Sequence, residues 1–245
     1  MLSKMMSFRA IFTALTVLFF LGLEVAAAFE TVVIDAGHGG LDEGTEWFRV
    51  REKLITLCVA KRLENILISK GIHTVMTRRY DHYVSLDARA EVGANIPNSL
   101  FVSIHFNAIG NTSVFGFESF YFGDSSQLVA RSIENAMQGS LPSRSRGVTK
   151  QDYAVITRTN ELAVLIESGF ISSKVESKNL QGGVYQQQIA EAIAVGILRI
   201  KPLINTDPVR DLVMERYEHD RKKAGHSSSG TVSSKSRSSK KKKDS

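Results

Sequence analysis

The sequence predicts an α/β fold in a single domain. Two observations carry this. The chain has 245 residues, 43% of them hydrophobic, which is enough to bury one full-sized core. Strand-like and helix-like segments also alternate along it.

Taken in order, residues 31–36 (TVVIDA) are an apolar run followed by Gly37, His38, Gly39 and Gly40, a buried strand entering a tight loop. Residues 52–70 read as an amphipathic helix closed by Gly71, with Ile55, Val59, Leu63 and Ile66 on one stripe and Lys61, Arg62 and Glu64 turned outward. Cys58 is the single cysteine, so no intramolecular disulfide forms. Its neighbours Leu54, Leu57 and Val59 make it a small core residue rather than a nucleophile. Residues 72–77 read as a second strand, and residues 85–94 as a helix with Ser85 at its N-cap. Residues 99–104 (SLFVSI) are a further apolar strand that runs into His105. Residues 116–122 read as an aromatic strand, 125–138 as a helix, and 139–150 as a loop rich in Ser, Arg and Gly. Residues 162–166 (LAVLI) form a buried strand ending at Glu167, and 183–200 the last helix.

The ends differ in composition. Lys4 and Arg9, an apolar run from Ala10 to Leu23, and Ala26 to Ala28 predict a signal peptide over 1–28. The run is short for a membrane span and Glu24 interrupts it, which favours cleavage over an uncleaved anchor. The mature protein is then expected in the periplasm or at the cell surface, with no transmembrane anchor. A catalytic domain is expected over 29–203, a charged, helix-compatible extension over 204–225, and a disordered Ser/Lys-rich tail over 226–245. The tail has two readings: contact with anionic envelope polymers or membrane, or a solvated end. The net charge of +6 resides in these ends. In the tail, Lys235, Arg237 and Lys240 to Lys243 stand against Asp244, and in the signal segment Lys4 and Arg9 stand against Glu24. The core between them is neutral, which excludes a nucleic-acid-binding domain.

Three buried strands end beside a residue able to bind metal or move protons: His38, His105 and Glu167. In open α/β sheets ligands bind at the carboxyl ends of strands, so these residues can converge. Glu52 opens the helix after the first strand and could face the same crevice. Two His and a Glu suit zinc and leave one position for water, the pattern of a catalytic site. Glu167 is then the candidate to carry the proton. Plainer readings exist for each. A His after a strand is commonly a satisfied loop residue, and a Glu at a helix start commonly a partner of the helix dipole. A carboxylate directly after LAVLI is harder to dismiss, because burying it without a partner is costly. Asp35 could orient a metal ligand or bond the loop backbone. Arg78, Arg79 and Arg89 could contact a substrate carboxylate or be solvated and salt-bridged surface. His73 and His82 fall outside the constellation and read as structural.

These residues lie in motifs. DAGHGG at 35–40, Glu52-Lys53, SIHFNA at 103–108 and LIESGFIS at 165–172 together resemble the type 3 N-acetylmuramoyl-L-alanine amidases. MTRRYDHYVSLDARAEVGAN at 76–95 and GFESFYF at 116–122 agree in order and spacing, so the resemblance covers about residues 31–200. It implies a twisted, mixed but mostly parallel sheet flanked by helices on both faces. It also implies one Zn²⁺ per chain held by His38, Glu52 and His105, with Glu167 as the catalytic carboxylate. Asn107, Glu118 and Arg89 are carried as candidate groove residues. The implied substrate is peptidoglycan or a muropeptide, cut between N-acetylmuramic acid and L-alanine. Ser173 departs from the Asn the family often places after GFIS. Residues 123–161 are too short for the helical insertion that blocks the metal in some relatives, so no activator protein is expected. The rival readings are a zinc peptidase cutting within the stem peptide and a non-catalytic binding scaffold.

Overall fold

A computed structural model describes residues 29–159 and 162–204. The expected signal peptide, the charged extension past Ile204 and the Ser/Lys tail lie outside the described residues. In chain order the elements are β1 (Thr31–Ala36), β2 (Glu46–Trp47), β3 (Val50–Arg51), α1 (Glu52–Ser69), β4 (His73–Met76), α2 (Leu86–Ala94), β5 (Ser99–Asn107) and β6 (Phe117–Tyr121). There follow α3 (Asp124–Ser140), β7 (Ser145–Lys150), the one-turn α4 (Ala154–Thr157), β8 (Leu162–Phe170), α5 (Lys174–Leu180) and α6 (Gly183–Ile204).

Six strands form one sheet in the order β4-β1-β5-β8-β6-β7, and β2 and β3 form a separate hairpin. Strands β4, β1, β5 and β8 are parallel, while β6 runs antiparallel to β8 with β7 parallel to β6. The sheet is thus mixed and mostly parallel, as expected. Strands β1, β5 and β8 are near-continuous apolar runs because helices cover both faces. Alternation sorts their side chains. Val32, Ile34, Leu100, Val102, Ile104, Val164 and Ile166 enter a large core shared with α1, α3 and α6. Val33, Phe101, Ala163 and Leu165 enter a smaller core with Val155 and Ile156 of α4, against which Val92 of α2 packs. By the same parity His105, Glu167 and Glu118 project on the smaller-core side, where the covering helices are short.

Several local expectations hold. The Ser85 hydroxyl accepts a hydrogen bond from the Ala88 amide at 3.2 Å and caps α2. Gly71 ends α1 at φ +75°, a conformation that favours glycine. Others do not hold. Cys58 is exposed, because it lies about half a turn from Thr56 and Ala60, which centre the buried face of α1. Glu64 is buried rather than turned outward, since Arg79 meets both its carboxylate oxygens, at 2.8 and 2.5 Å. Residues 145–150 form edge strand β7 instead of a loop, held by pairing with β6. Among the described residues no helix is long and apolar enough to cross a membrane.

The C-terminal end of β1 is held by charge. Asp35 is fully buried and accepts from Arg89 Nη1 (2.7 Å), Thr77 Oγ1 (2.6 Å) and Ser103 Oγ (2.7 Å). Burial alone would push its carboxyl up, but Arg89 and the two hydroxyls outweigh burial and hold it below the usual range. Arg89 also donates to the carbonyls of Ala36 and His38 at 2.6 Å each and of Val84 at 3.0 Å. Arg78, expected at the surface, is buried and donates to the carbonyls of Ala36 (2.9 Å), Gly37 (2.8 Å) and Lys53 (2.7 Å). Removing Arg89 leaves Asp35 an unpaired buried charge. We expect Arg89→Ala to lose about 3–5 kcal/mol of stability in denaturant unfolding.

Candidate active site

The loop after β1 places His38 at φ +60°, a left-handed conformation that costs a residue with a Cβ and persists only when its surroundings enforce it. Here the carbonyl of His38 is held by Arg89. Its ring is held by Asp42, whose Oδ1 lies 2.8 Å from Nδ1. That leaves Nε2 directed at Glu52 Oε1, 3.0 Å away. Lys53 pins the rest of the loop through Gly40 O (2.8 Å), Glu43 Oε1 (2.7 Å) and Asp81 Oδ2 (3.2 Å).

Glu52, the first residue of α1, is buried. Its Oε1 also lies 3.1 Å from His105 Nδ1 and accepts from the Phe106 amide at 3.2 Å, while Oε2 accepts from the Thr45 amide at 3.1 Å. The two imidazoles stand edge to face with centroids 4.9 Å apart. One ligating atom from each of His38, Glu52 and His105 falls within 4.8 Å of the other two. Two imidazole nitrogens and a carboxylate oxygen so placed can hold one divalent ion, and the donor set suits zinc. Burial pushes the Glu52 carboxyl up, yet the two imidazoles bonded to it outweigh this and keep it ionised, far below its usual range. Burial would lower His38, but Glu52 and Asp42 raise it overall.

Glu167 pairs in register with His105 on one side and with Glu118 on the other. Its Oε2 is buried and meets no hydrogen-bond partner among the described residues. Burial first, then the nearby charges of Glu52 and Glu118, push its carboxyl up to about 7 against the pull of His105 and His38. A carboxyl poised near neutrality, with a free oxygen beside a potential metal site, can take up and release a proton.

The other expected residues are spread around this centre. Asn107 donates to Glu118 Oε1 at 2.8 Å, so the two form a pair next to Glu167. Arg89, expected at the substrate, spends four of its five N–H groups on Asp35 and main-chain carbonyls. Asp35 acts on the loop through Arg89 and forms no hydrogen bond to either imidazole among the described residues. The carboxylate that orients His38 is Asp42, which sequence reasoning missed. Its signal was its place four residues after a candidate ligand, since a metal-binding His commonly gives its second nitrogen to an acceptor. A groove of about 210 Å³ opens beside the centre, lined by Tyr83, Leu86, Tyr153 and Leu165 as well as His38 and His105.

A mixed α/β sheet, a potential metal-binding trio and a proton-poised carboxyl in an open groove define a hydrolase. The N-acetylmuramoyl-L-alanine amidase family profile matches residues 32–199. An uncharacterised protein of Bacillus subtilis, YqiI, is 38% identical over 172 residues, covering 69% of this chain and 83% of that one. The probable cell wall amidase LytH of Staphylococcus epidermidis is 34% identical over 171 residues, and the chain spans 57% of its length. The crystal structure of N-acetylmuramoyl-L-alanine amidase from Clostridium difficile 630 superposes with a TM-score of 0.68 at 35% identity, covering 71% of this chain and 97% of that one. The chain belongs to the N-acetylmuramoyl-L-alanine amidase family and is an enzyme of that type.

Two predictions follow from this geometry. A Cβ at Gly37 would sit 2.3 Å from the His105 ring. Gly37→Ala is therefore expected to tilt His105 out of the trio and to weaken the affinity for an added divalent ion by about 10- to 100-fold, read by competition with a chelator. Glu167 is held neutral by the fold, so the stability this lends is present below its ordinary value of 4.5 and is lost as pH rises through about 7. Metal-free Glu167→Gln should match the parent in urea unfolding at pH 4 and exceed it at pH 8, by up to roughly 3 kcal/mol.

Proposed function

We propose that the protein is a zinc-dependent amidase that cleaves the bond between N-acetylmuramic acid and L-alanine in peptidoglycan or muropeptides. The observation that carries this reading is the meeting of His38, Glu52 and His105 within 4.8 Å, beside a buried carboxyl, Glu167, that has an unpartnered oxygen. A zinc ion bound there would polarise the scissile carbonyl and acidify the attacking water.

The chain's own residues do the rest. Glu52 stays ionised as an oxygen ligand, and Asp42 fixes the His38 tautomer that presents Nε2. Glu167 takes a proton from the attacking water as the new C–O bond forms. It returns the proton to the nitrogen as the C–N bond breaks, which lets the L-alanine amine leave. Leu165, Tyr83 and Tyr153 give the groove apolar surface against which a substrate can pack. The signal-like segment at 1–28 supports export to the periplasm or cell surface, and so does the similarity to LytH, a probable cell wall amidase. Residues 123–159 hold only α3, β7 and α4, which supports activity without an activator.

The test is product identity. Zinc-loaded protein should release stem peptides beginning with L-alanine from purified muropeptides, by mass spectrometry, and lose that activity on chelation. Peptides cut at an internal bond would favour a peptidase instead. Glu167→Ala should keep its zinc and lose about 10²- to 10⁴-fold in kcat. A variant as fast as the parent would remove Glu167 from the mechanism.

A further inference from the structure

Tyr153 immediately precedes α4 and lines the groove with His38 and His105. Its ring stands edge-on to that of Phe120 on β6, with centroids 5.2 Å apart at 78°. Phe120 is buried, and so are Val155 and Ile156 in the turn that follows. The ring is therefore anchored on the core while the residue, 41% exposed, also lines the groove. Tyr83, the other phenol of the groove, is 58% exposed.

The Tyr153 hydroxyl makes no hydrogen bond to another described residue. Its surroundings are negative. Burial first, then Glu167, Glu118 and Asp152, hold the phenol above its ordinary value, so at neutral pH it remains an O–H donor. Nearby polar groups do not offer the same. Asp42 is committed to His38, Glu118 accepts from Asn107, and Arg89 is directed at the main chain. Amide hydrolysis builds negative charge on the carbonyl oxygen, and a fixed donor aimed at that oxygen lowers the barrier.

We infer that Tyr153 is a catalytic residue, whose hydroxyl donates a hydrogen bond to the carbonyl oxygen of the amide being cleaved while its ring forms a wall of the substrate groove. This assignment rests on the amidase reading above. It gives the site a neutral donor whose ring is packed on the core, whereas the Tyr83 ring is more exposed and the Asn107 amide is spent on Glu118.

The experiment is steady-state kinetics of the zinc-loaded full chain on purified muropeptides, with Tyr153→Phe and Tyr153→Ala. Tyr153→Phe keeps the ring on Phe120 and should retain the parent's zinc content, Tm and KM while losing about 100-fold in kcat. Tyr153→Ala should show that loss and raise KM as well, because the wall is gone. Parent-like kcat in Tyr153→Phe would overturn the assignment. So would a loss confined to KM, or a loss that tracks falling zinc content. A parent that releases no peptide beginning with L-alanine would instead overturn the amidase reading, and this role with it.

Discussion

Three consecutive carbonyls, of Ala36, Gly37 and His38, are each captured by a buried guanidinium, and the placement of everything else in the site depends on this. A chain leaving a parallel strand must satisfy its carbonyls somewhere, and here little water can reach them. Arg78 and Arg89 supply fixed forks of donors that remain charged when buried. Arg89 pairs directly with Asp35, whose charge also acts on Arg78 from further off. Burial and the charge of Arg89 push Arg78 down against the opposing pull of Asp35, Asp81 and Asp42, and main-chain carbonyls take up its N–H groups. Such buried ions are weak sources of net stability. Their value is positional, since they impose a left-handed backbone on His38 and stop the loop from relaxing out of it.

That positioning has a chemical outcome. Three carboxyls lie within one small region and their surroundings treat them differently. Asp35 meets a guanidinium and two hydroxyls and is held ionised. Glu52 meets two imidazoles and is held ionised more strongly. Glu167 meets apolar walls, two other carboxylates and no donor for one of its oxygens, and it rises to about 7. Pushing titratable groups apart in this way suits one carboxyl to metal ligation and another to proton transfer without changing residue type. Glu118, held in place by Asn107, is one of the carboxylates that push Glu167 up.

Much of this was legible in the sequence, for physical reasons. Strands buried on both faces must be apolar throughout, so β1, β5 and β8 stood out, and so did the polar residues at their ends. His38, His105 and Glu167 drew notice because a charged or ligating group next to such a run demands an explanation, and Glu52 because it opens the helix that returns from the same edge. Edge strand β7 was not legible, because Ser145–Lys150 has no apolar face and owes its conformation to β6. The one-turn α4 was too short to show a period. Cys58 and Glu64 were misplaced by helical phase, since apolar neighbours along the chain do not reveal which way a helix face turns. The burial of Arg78 had no local signal at all, because its partners are carbonyls brought in from residues 36, 37 and 53.

The two faces of the sheet divide stability from access. Long helices α1, α3 and α6 bury the larger core, and most of the apolar burial lies there. The other face is covered by α2, of 9 residues, and α4, of 4 residues. Short cover leaves the carboxyl ends of β5 and β8 open, and alternation along those strands turns His105 and Glu167 toward the opening. Had either residue moved one position along its strand, it would point into the larger core instead. An open groove on that face admits an amide held within a larger molecule, which a closed cavity would exclude. The parity of two strands thus couples a fold built for burial to a site built for access.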